Sequence, residues 1–118
     1  MGIVHHVAYL VWMEEGRSQW LRTHGNSYAL FEKEGLALAV SEVNARYLQP
    51  ARYDQLVTIR CWVERVQSRQ VQFDYEIVEP ESGAILVKGY SKHICLNRAG
   101  QVALIPDKWR RILEGIPS

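Results

Sequence analysis

The sequence predicts an α+β fold in which a long antiparallel sheet wraps around one apolar helix. A helical pattern runs from Val7 to about Arg22, and its first two turns are apolar nearly all round. After Gly35 the apolar period switches to two, and four strand patterns follow. These strands span roughly 10 to 14 residues, well above the usual length of about 5–6. A helix that is apolar on every side must be covered, and strands grouped after a helix are typical of α+β proteins.

The other elements follow from turn residues and periodicity. Gly25 is expected to end the first helix, and a short second helix is expected from about Tyr28 to Lys33. The strand patterns cover residues 36–48, 55–66, 69–78 and 84–97, and we expect them to form a meander. "EPESG" (79–83) reads as a hairpin turn. Pro106 suits the first turn of a last helix that ends at about Leu113.

Composition narrows the class of protein. A chain of 118 residues is expected to be one domain, residues 1–118, and its net charge of +1 argues against non-specific nucleic-acid binding. Cys61 and Cys95 lie in alternating apolar runs and are expected to be buried free thiols. Four histidines without a clustered set of carboxylates argue against a metal site. With no signal-peptide pattern and no apolar run long enough for a membrane span, a cytoplasmic location is expected.

Three segments carry a family resemblance: "MGIVHHVAYLVWMEEGR" (1–17), "VSEVNARYLQPARYDQLVTI" (40–59) and "KGYSKHICLNRAGQVALIP" (88–106). They resemble the hotdog-fold acyl-CoA thioesterases, specifically the group of 4-hydroxybenzoyl-CoA and Tol-Pal-associated thioesterases. The resemblance implies a sheet wrapped around one long helix, and hydrolysis of acyl-CoA to a free acid and CoA. It also implies that no cofactor is needed and that subunits pair through their sheets as a homodimer or homotetramer.

The same resemblance bears on the start of the sequence. Family members carry a strand and a catalytic Asp upstream of the "MGIVHH" motif, and that Asp is expected two positions before Met1. Two expectations follow. Either Met1 is an internal residue of the family turn, or the protein starts here and has lost catalysis. In both cases the first family strand is missing from the chain as written, which is expected to have weak or no activity.

Two residues near the helix start are candidates for catalysis. His6 matches a family His close to the catalytic carboxylate, and it could orient water or move a proton. The alternative is a structural role, in which a backbone carbonyl at the helix start satisfies the His6 side chain. Tyr9 matches a family Tyr that lines this region, but it could equally be a core aromatic residue. His5 is expected to be structural, and Ala8 stands where the family often has Asn.

Further candidates lie along the helix and the strands. Glu14 lies about 12 Å along the helix from His6, too far to share a thioester carbonyl with the His6 N–H, so it is not expected to replace the missing Asp. Glu14 and Arg17 are instead expected to form a structural pair near the site. By resemblance to the family, basic and polar residues would hold the CoA, although each could be a solvated strand residue. These candidates are Asn44, Arg46, Arg52 and Lys92, with Lys88 as a further possibility. His93 is expected to be a satisfied, partly buried His rather than a catalyst.

Two other classes of function are compatible with the sequence. A non-catalytic hotdog module could bind acyl-CoA or only oligomerise, with the same pocket and without the same Asp. An unrelated helix-on-sheet binding domain, such as a cystatin-like one, would explain the pattern of elements. It would not explain "MGIVHH" or "YLQPARYD".

Overall fold

The computed structural model describes residues 6–24, 28–49 and 56–115, with side chains from Val11 onward in the first helix. Its elements agree closely with those expected from the sequence. In chain order they are α1 (His6–Thr23), α2 (Tyr28–Lys33), β1 (Ala37–Tyr47), β2 (Thr58–Val66), β3 (Gln70–Val78), β4 (Ile85–Leu96) and α3 (Asp107–Leu113). Gly25, the expected end of the first helix, lies outside the described residues. None of the described helices is long and apolar enough to cross a membrane.

The four strands form one antiparallel sheet in the order β1-β4-β3-β2. The expected meander is therefore correct for β2, β3 and β4 and wrong for β1, which pairs with β4. The 12-residue β4 offers the 11-residue β1 a nearly full-length ladder. Gly89 permits close pairing at its centre, because a Cβ there would lie 2.4 Å from the Asn44 carbonyl oxygen.

The hairpin expected at "EPESG" joins β3 to β4. The Glu79 amide donates to the Ala84 carbonyl, and the Gly83 amide donates to the Glu79 carbonyl, both at 2.9 Å. Gly83 has φ +74°, a conformation that side chains disfavour. A glycine at this turn thus lets the two most buried strands follow each other directly.

Helix α1 packs on one face of this sheet, mainly against β2 and β3. The inward side chains of β3 alternate with polar ones and are almost completely buried, as in Val71, Phe73, Tyr75 and Ile77. Met13 of α1 is 3% exposed and belongs to the same apolar core as Phe73 and Tyr75. The sheet thus has a covered inner face and a polar outer face, as an antiparallel sheet with one helix layer requires.

The short helices α2 and α3 close one end of the core. Phe31 meets Trp109 edge to face, with ring centroids 5.2 Å apart, and both side chains are 3% exposed. Glu34 accepts hydrogen bonds from the Trp109 indole at 2.7 Å and from the Lys108 amine at 2.5 Å. These bonds lower the pKa of the Glu34 carboxyl, so that its charged form ties α3 to the end of α2.

The edge strand β1 is much less covered than the inner strands. Val40, Val43 and Tyr47 are each about half exposed, although the strand register places them on the helix side of the sheet. The sequence correctly placed Val43, Ala45 and Tyr47 on one face, but only Ala45 packs against the core. The result is an apolar strip along a sheet edge that pairs with no other strand among the described residues.

Candidate active site

The start of helix α1 is the first part of the candidate site. The helix begins at His6, so the first amide groups of α1 lack partners within the helix. These N–H groups and the positive helix end can stabilise a developing oxyanion. His6 and Tyr9 both lie in this first part of α1, but their side chains fall outside the described residues, as does Arg52.

Two glycines set how closely α1 approaches the sheet. A Cβ on Gly16 would lie 2.8 Å from Ile59 Cγ2 and 3.3 Å from Cys61 Cβ, both on β2. A Cβ on Gly89 would lie 3.1 Å from the Met13 methyl group of α1. The lack of a side chain at both positions therefore brings the helix into direct contact with the strands.

A chain of buried polar groups links α1 to β3 and β4. Arg17 Nη1 donates to Tyr75 Oη at 3.2 Å, and Tyr75 Oη lies 2.6 Å from Ser91 Oγ. Ser91 Oγ is in turn 2.8 Å from His93 Nε2. Tyr75, Ser91 and His93 are each no more than 2% exposed. The chain connects the middle of the helix with the centre of the sheet.

This arrangement corrects the expected pair of Glu14 and Arg17. Within the part of the chain that the structure describes, these two residues form no ion pair, because Arg17 turns toward the sheet and donates to Tyr75. Glu14 stays exposed on the side of the helix that faces a cleft. Arg17 therefore links helix α1 to the sheet.

That cleft is open, has a volume of about 880 Å³ and lies between α1 and β2. Its walls include Glu14, Gly16, Gln19, Trp20, Ile59 and Cys61. Burial raises the pKa of the Cys61 thiol to about 12, so Cys61 remains a thiol at neutral pH and is a poor nucleophile. Both cysteines are free, with Cys95 buried as expected and Cys61 only partly so. The cleft has room for a ligand but no activated thiol.

The described candidates for CoA binding, Asn44, Arg46, Lys88 and Lys92, lie on the outer face of the sheet, opposite α1. Asn44 pairs with Tyr90, and Arg46 pairs with Lys88, across the β1–β4 ladder. Like charges directly opposite each other are unfavourable, but Glu76 of β3 lies opposite Lys88 on its other side and balances part of this charge. The structure therefore brings Asn44, Arg46 and Lys92 together on one surface but does not bring them to the helix side.

Lys92 already has partners on this surface. Its Nζ is 4.0 Å from the Glu42 carboxylate and 5.7 Å from the centre of the Tyr90 ring. Tyr90 Oη also donates to Glu42, which raises the pKa of the Tyr90 hydroxyl. Lys92 is thus less available for an anion than Arg46, for which the described residues show no ion pair.

Sequence reasoning missed the link from Arg17 to Tyr75. The strand pattern placed Tyr75 among apolar residues of the inner face, where the phenol hydroxyl must find a polar partner. That requirement was the available signal. The partner was not predictable, because it lies 58 residues away in the chain.

Comparisons with known proteins agree with this geometry. The family model described as the thioesterase superfamily matches residues 1–85. YneP of Bacillus subtilis (strain 168), whose name provisionally calls it an acyl-CoA thioesterase, is 35% identical over 83% of this chain and 70% of its own. A hypothetical protein from Thermus thermophilus has a crystal structure that superimposes with a TM-score of 0.90 at 30% identity, over 99% of this chain and 88% of that one.

A further solved structure bears on the fold. DHNA-CoA thioesterase from Staphylococcus aureus superimposes with a TM-score of 0.84 at 27% identity, over 97% of this chain and 78% of that chain. The antiparallel sheet with its helix is therefore the hotdog fold expected from the sequence. With the match over residues 1–85, the chain belongs to the thioesterase superfamily.

Proposed function

We propose that this protein hydrolyses acyl-CoA thioesters, with water and acyl-CoA giving a free acid and the CoA thiol. The observation that carries this proposal is the family match over residues 1–85, which includes the helix-start motif and β1. The likeness to YneP supports CoA as the thiol part of the substrate.

The start of α1 would hold the thioester carbonyl. A backbone N–H near His6 would donate to the carbonyl oxygen and stabilise the negative charge that forms there. The His6 side chain would orient the attacking water or move its proton, and Tyr9 would line the acyl group. The family carboxylate expected upstream of Met1 would act as base, taking a proton from the attacking water that then passes to the departing thiolate of CoA. If it acts as nucleophile instead, it displaces the thiolate to form an anhydride, which water then hydrolyses to the free acid while the released proton goes to the thiolate.

Basic residues near the edge of the sheet would bind the CoA part of the substrate. Arg46 and Lys88 stand side by side on the outer face, and their paired positive charge suits a phosphate group. Asn44, Arg52 and Lys92 remain secondary candidates for this role.

The direct test is thiol release from a panel of short, long and aromatic acyl-CoA substrates. The protein should be the natural gene product, including any residues encoded in frame before Met1. Turnover of at least one acyl-CoA, with release of CoA and acid in equal amounts, is the expected result. Tight binding of acyl-CoA without turnover would contradict hydrolysis and support the non-catalytic module instead.

We also propose that two copies of the chain pair through their β1 strands. The outer edge of β1 has no strand partner in the described part of the chain. Together with the half-exposed Val40, Val43 and Tyr47, this edge forms a continuous surface that a second copy would cover. Exposed apolar edge strands of this length are otherwise prone to aggregation. A homodimer through β1 is the simplest assembly, and a homotetramer would need a further contact. The cytoplasmic location stays a prediction from the sequence.

Replacing Val43 with glutamate should weaken this association. The substitution places a charge on the strip, next to its symmetry-related copy, where desolvation and like-charge repulsion oppose pairing. Light scattering coupled to size-exclusion chromatography should show a shift from dimer toward monomer. Val102→Glu is the matched control, since Val102 is 56% exposed and lies outside β1. Equal masses for both variants and the wild type would contradict a β1 interface.

A further inference from the structure

The buried polar chain from α1 to β4 has a defined direction. An arginine side chain only donates, so Tyr75 Oη accepts from Arg17 and its own proton is available for Ser91. Burial raises the pKa of the Tyr75 hydroxyl, which therefore stays protonated at neutral pH. Ser91 can then donate its proton to His93 Nε2. Every proton of the chain thus points from the helix toward His93.

This direction requires a neutral His93. The pKa of His93 is lowered from 6.5 to about 4, mainly by burial and also by the positive charge of Arg17, while a backbone contact with Leu38 acts in the opposite direction. His93 is 1% exposed, and the ring of Phe73 meets it edge to face at 5.6 Å. At neutral pH its Nε2 can therefore accept the hydrogen bond from Ser91.

Few of the described groups around His93 could stabilise its protonated, positively charged form. From α1 the facing charged group is Arg17, and from β3 it is the Tyr75 hydroxyl, reached through Ser91. From β1 the described contact is the backbone of Leu38, and on β4 itself Ser91 and Cys95 lie on the same face. No described carboxylate acts on the pKa of His93.

We propose that Arg17, Tyr75, Ser91 and His93 form a proton-sensitive latch that holds α1 on the sheet. When His93 takes up a proton, both of its ring nitrogens become donors, and Nε2–H must donate to Ser91. The Ser91 hydroxyl proton thereby loses its acceptor inside the core. The protonated ring also repels the Arg17 guanidinium at the other end of the buried chain, so protonation favours a state in which α1 has moved away from Tyr75. The latch concerns helix packing and does not depend on the proposed hydrolysis.

The sign of the pH effect follows from the lowered pKa. The folded protein resists protonation of His93, whereas the opened state takes up the proton at the ordinary pKa of 6.5. The latch is therefore fully closed above about pH 6.5 and weakens as the pH falls toward about 4. Since opening is linked to protonation, the opening equilibrium should rise by more than about tenfold between pH 7 and 4.5.

Amide hydrogen exchange, corrected for the intrinsic effect of pH, tests this latch in the intact protein. Between pH 7 and 4.5 the protection of α1 amides should fall more than about tenfold, while β3 and β4 amides change much less. His93→Gln keeps an acceptor without titrating and should remove most of this selective loss. Tyr75→Phe should lower α1 protection already at pH 7. His24→Gln removes a ring that stacks on Trp20 of the same helix, so α1 protection should fall somewhat at both pH values, but the selective loss between pH 7 and 4.5 should remain as in wild type.

Two results would overturn the latch. One is an equal loss of protection in α1, β3 and β4, which would mean that His93 affects only global unfolding. The other is a selective loss in α1 that persists unchanged in His93→Gln, which would place the titrating group elsewhere.

Discussion

Replacing His6 with alanine should lower kcat/KM for the preferred acyl-CoA by about 10²–10⁴, the usual contribution of general acid–base catalysis. His6 is the first residue of α1, next to the amide groups that would hold the thioester oxygen. Removing the imidazole takes away the group proposed to orient water or move its proton. The backbone donors at the helix start remain, so substrate binding and KM should change much less than kcat. Thiol-release kinetics over a range of pH values would measure both constants.

His5→Ala is the matched control for this experiment. His5 is the preceding residue and carries the same side chain, but the sequence assigns it no catalytic role. Its replacement should leave kcat/KM close to the wild-type value. Equal losses for His5→Ala and His6→Ala would indicate a general disturbance of the helix start. Wild-type turnover in His6→Ala would remove His6 from the mechanism and leave the backbone donors and the carboxylate.

Gly89→Ala should destabilise the fold by about 3 kcal/mol or more, at or beyond the upper end of the usual cost of overpacking. The added Cβ would lie 2.4 Å from the Asn44 carbonyl oxygen, which is backbone and cannot rotate away. It would also press on the Met13 methyl group at 3.1 Å. The β1–β4 ladder must therefore widen, or α1 must lift from the sheet. Urea unfolding followed by circular dichroism would measure the free energy of unfolding.

Gly83→Ala separates backbone strain from crowding. Gly83 has φ +74°, but a Cβ there would meet nothing within 4 Å. Its replacement should cost only about 1 kcal/mol, the order of a left-handed conformation for a side chain. A Gly89→Ala protein that is as stable as wild type would contradict the close approach of β1 to β4. Self-association through β1 should also weaken in Gly89→Ala if the ladder widens.

The sequence was most informative about local structure. The apolar pattern of α1, the alternation in β3 and the hairpin at "EPESG" depend on neighbouring residues, and all three were predicted close to their actual bounds. The pairing of β1 depends on a contact between distant segments, and the sequence placed it wrongly. Alternation identifies a strand and its faces, but it does not identify which strand lies beside it.

The candidate site divides in the same way. The helix-start motif with His6 and Tyr9 was recognisable from the sequence, and their catalytic roles stay predictions. The outer-face positions of Asn44, Arg46 and Lys92 follow from alternation once β4 is known to be the partner of β1. The division of the chain into a single domain, residues 1–118, also stays a prediction.

By itself, the sequence determined the fold class, the order of the elements and the family, because periodicity and short motifs are properties of neighbouring residues. Only the tertiary structure decided that Arg17 donates to Tyr75 instead of pairing with Glu14. It also decided that Ser91 connects Tyr75 to His93 by hydrogen bonds. Helical spacing allows Arg17 either partner, and the choice depends on where β3 lies. Burial then favours the partner that satisfies the Tyr75 hydroxyl, since an unpaired hydroxyl in the core is costly.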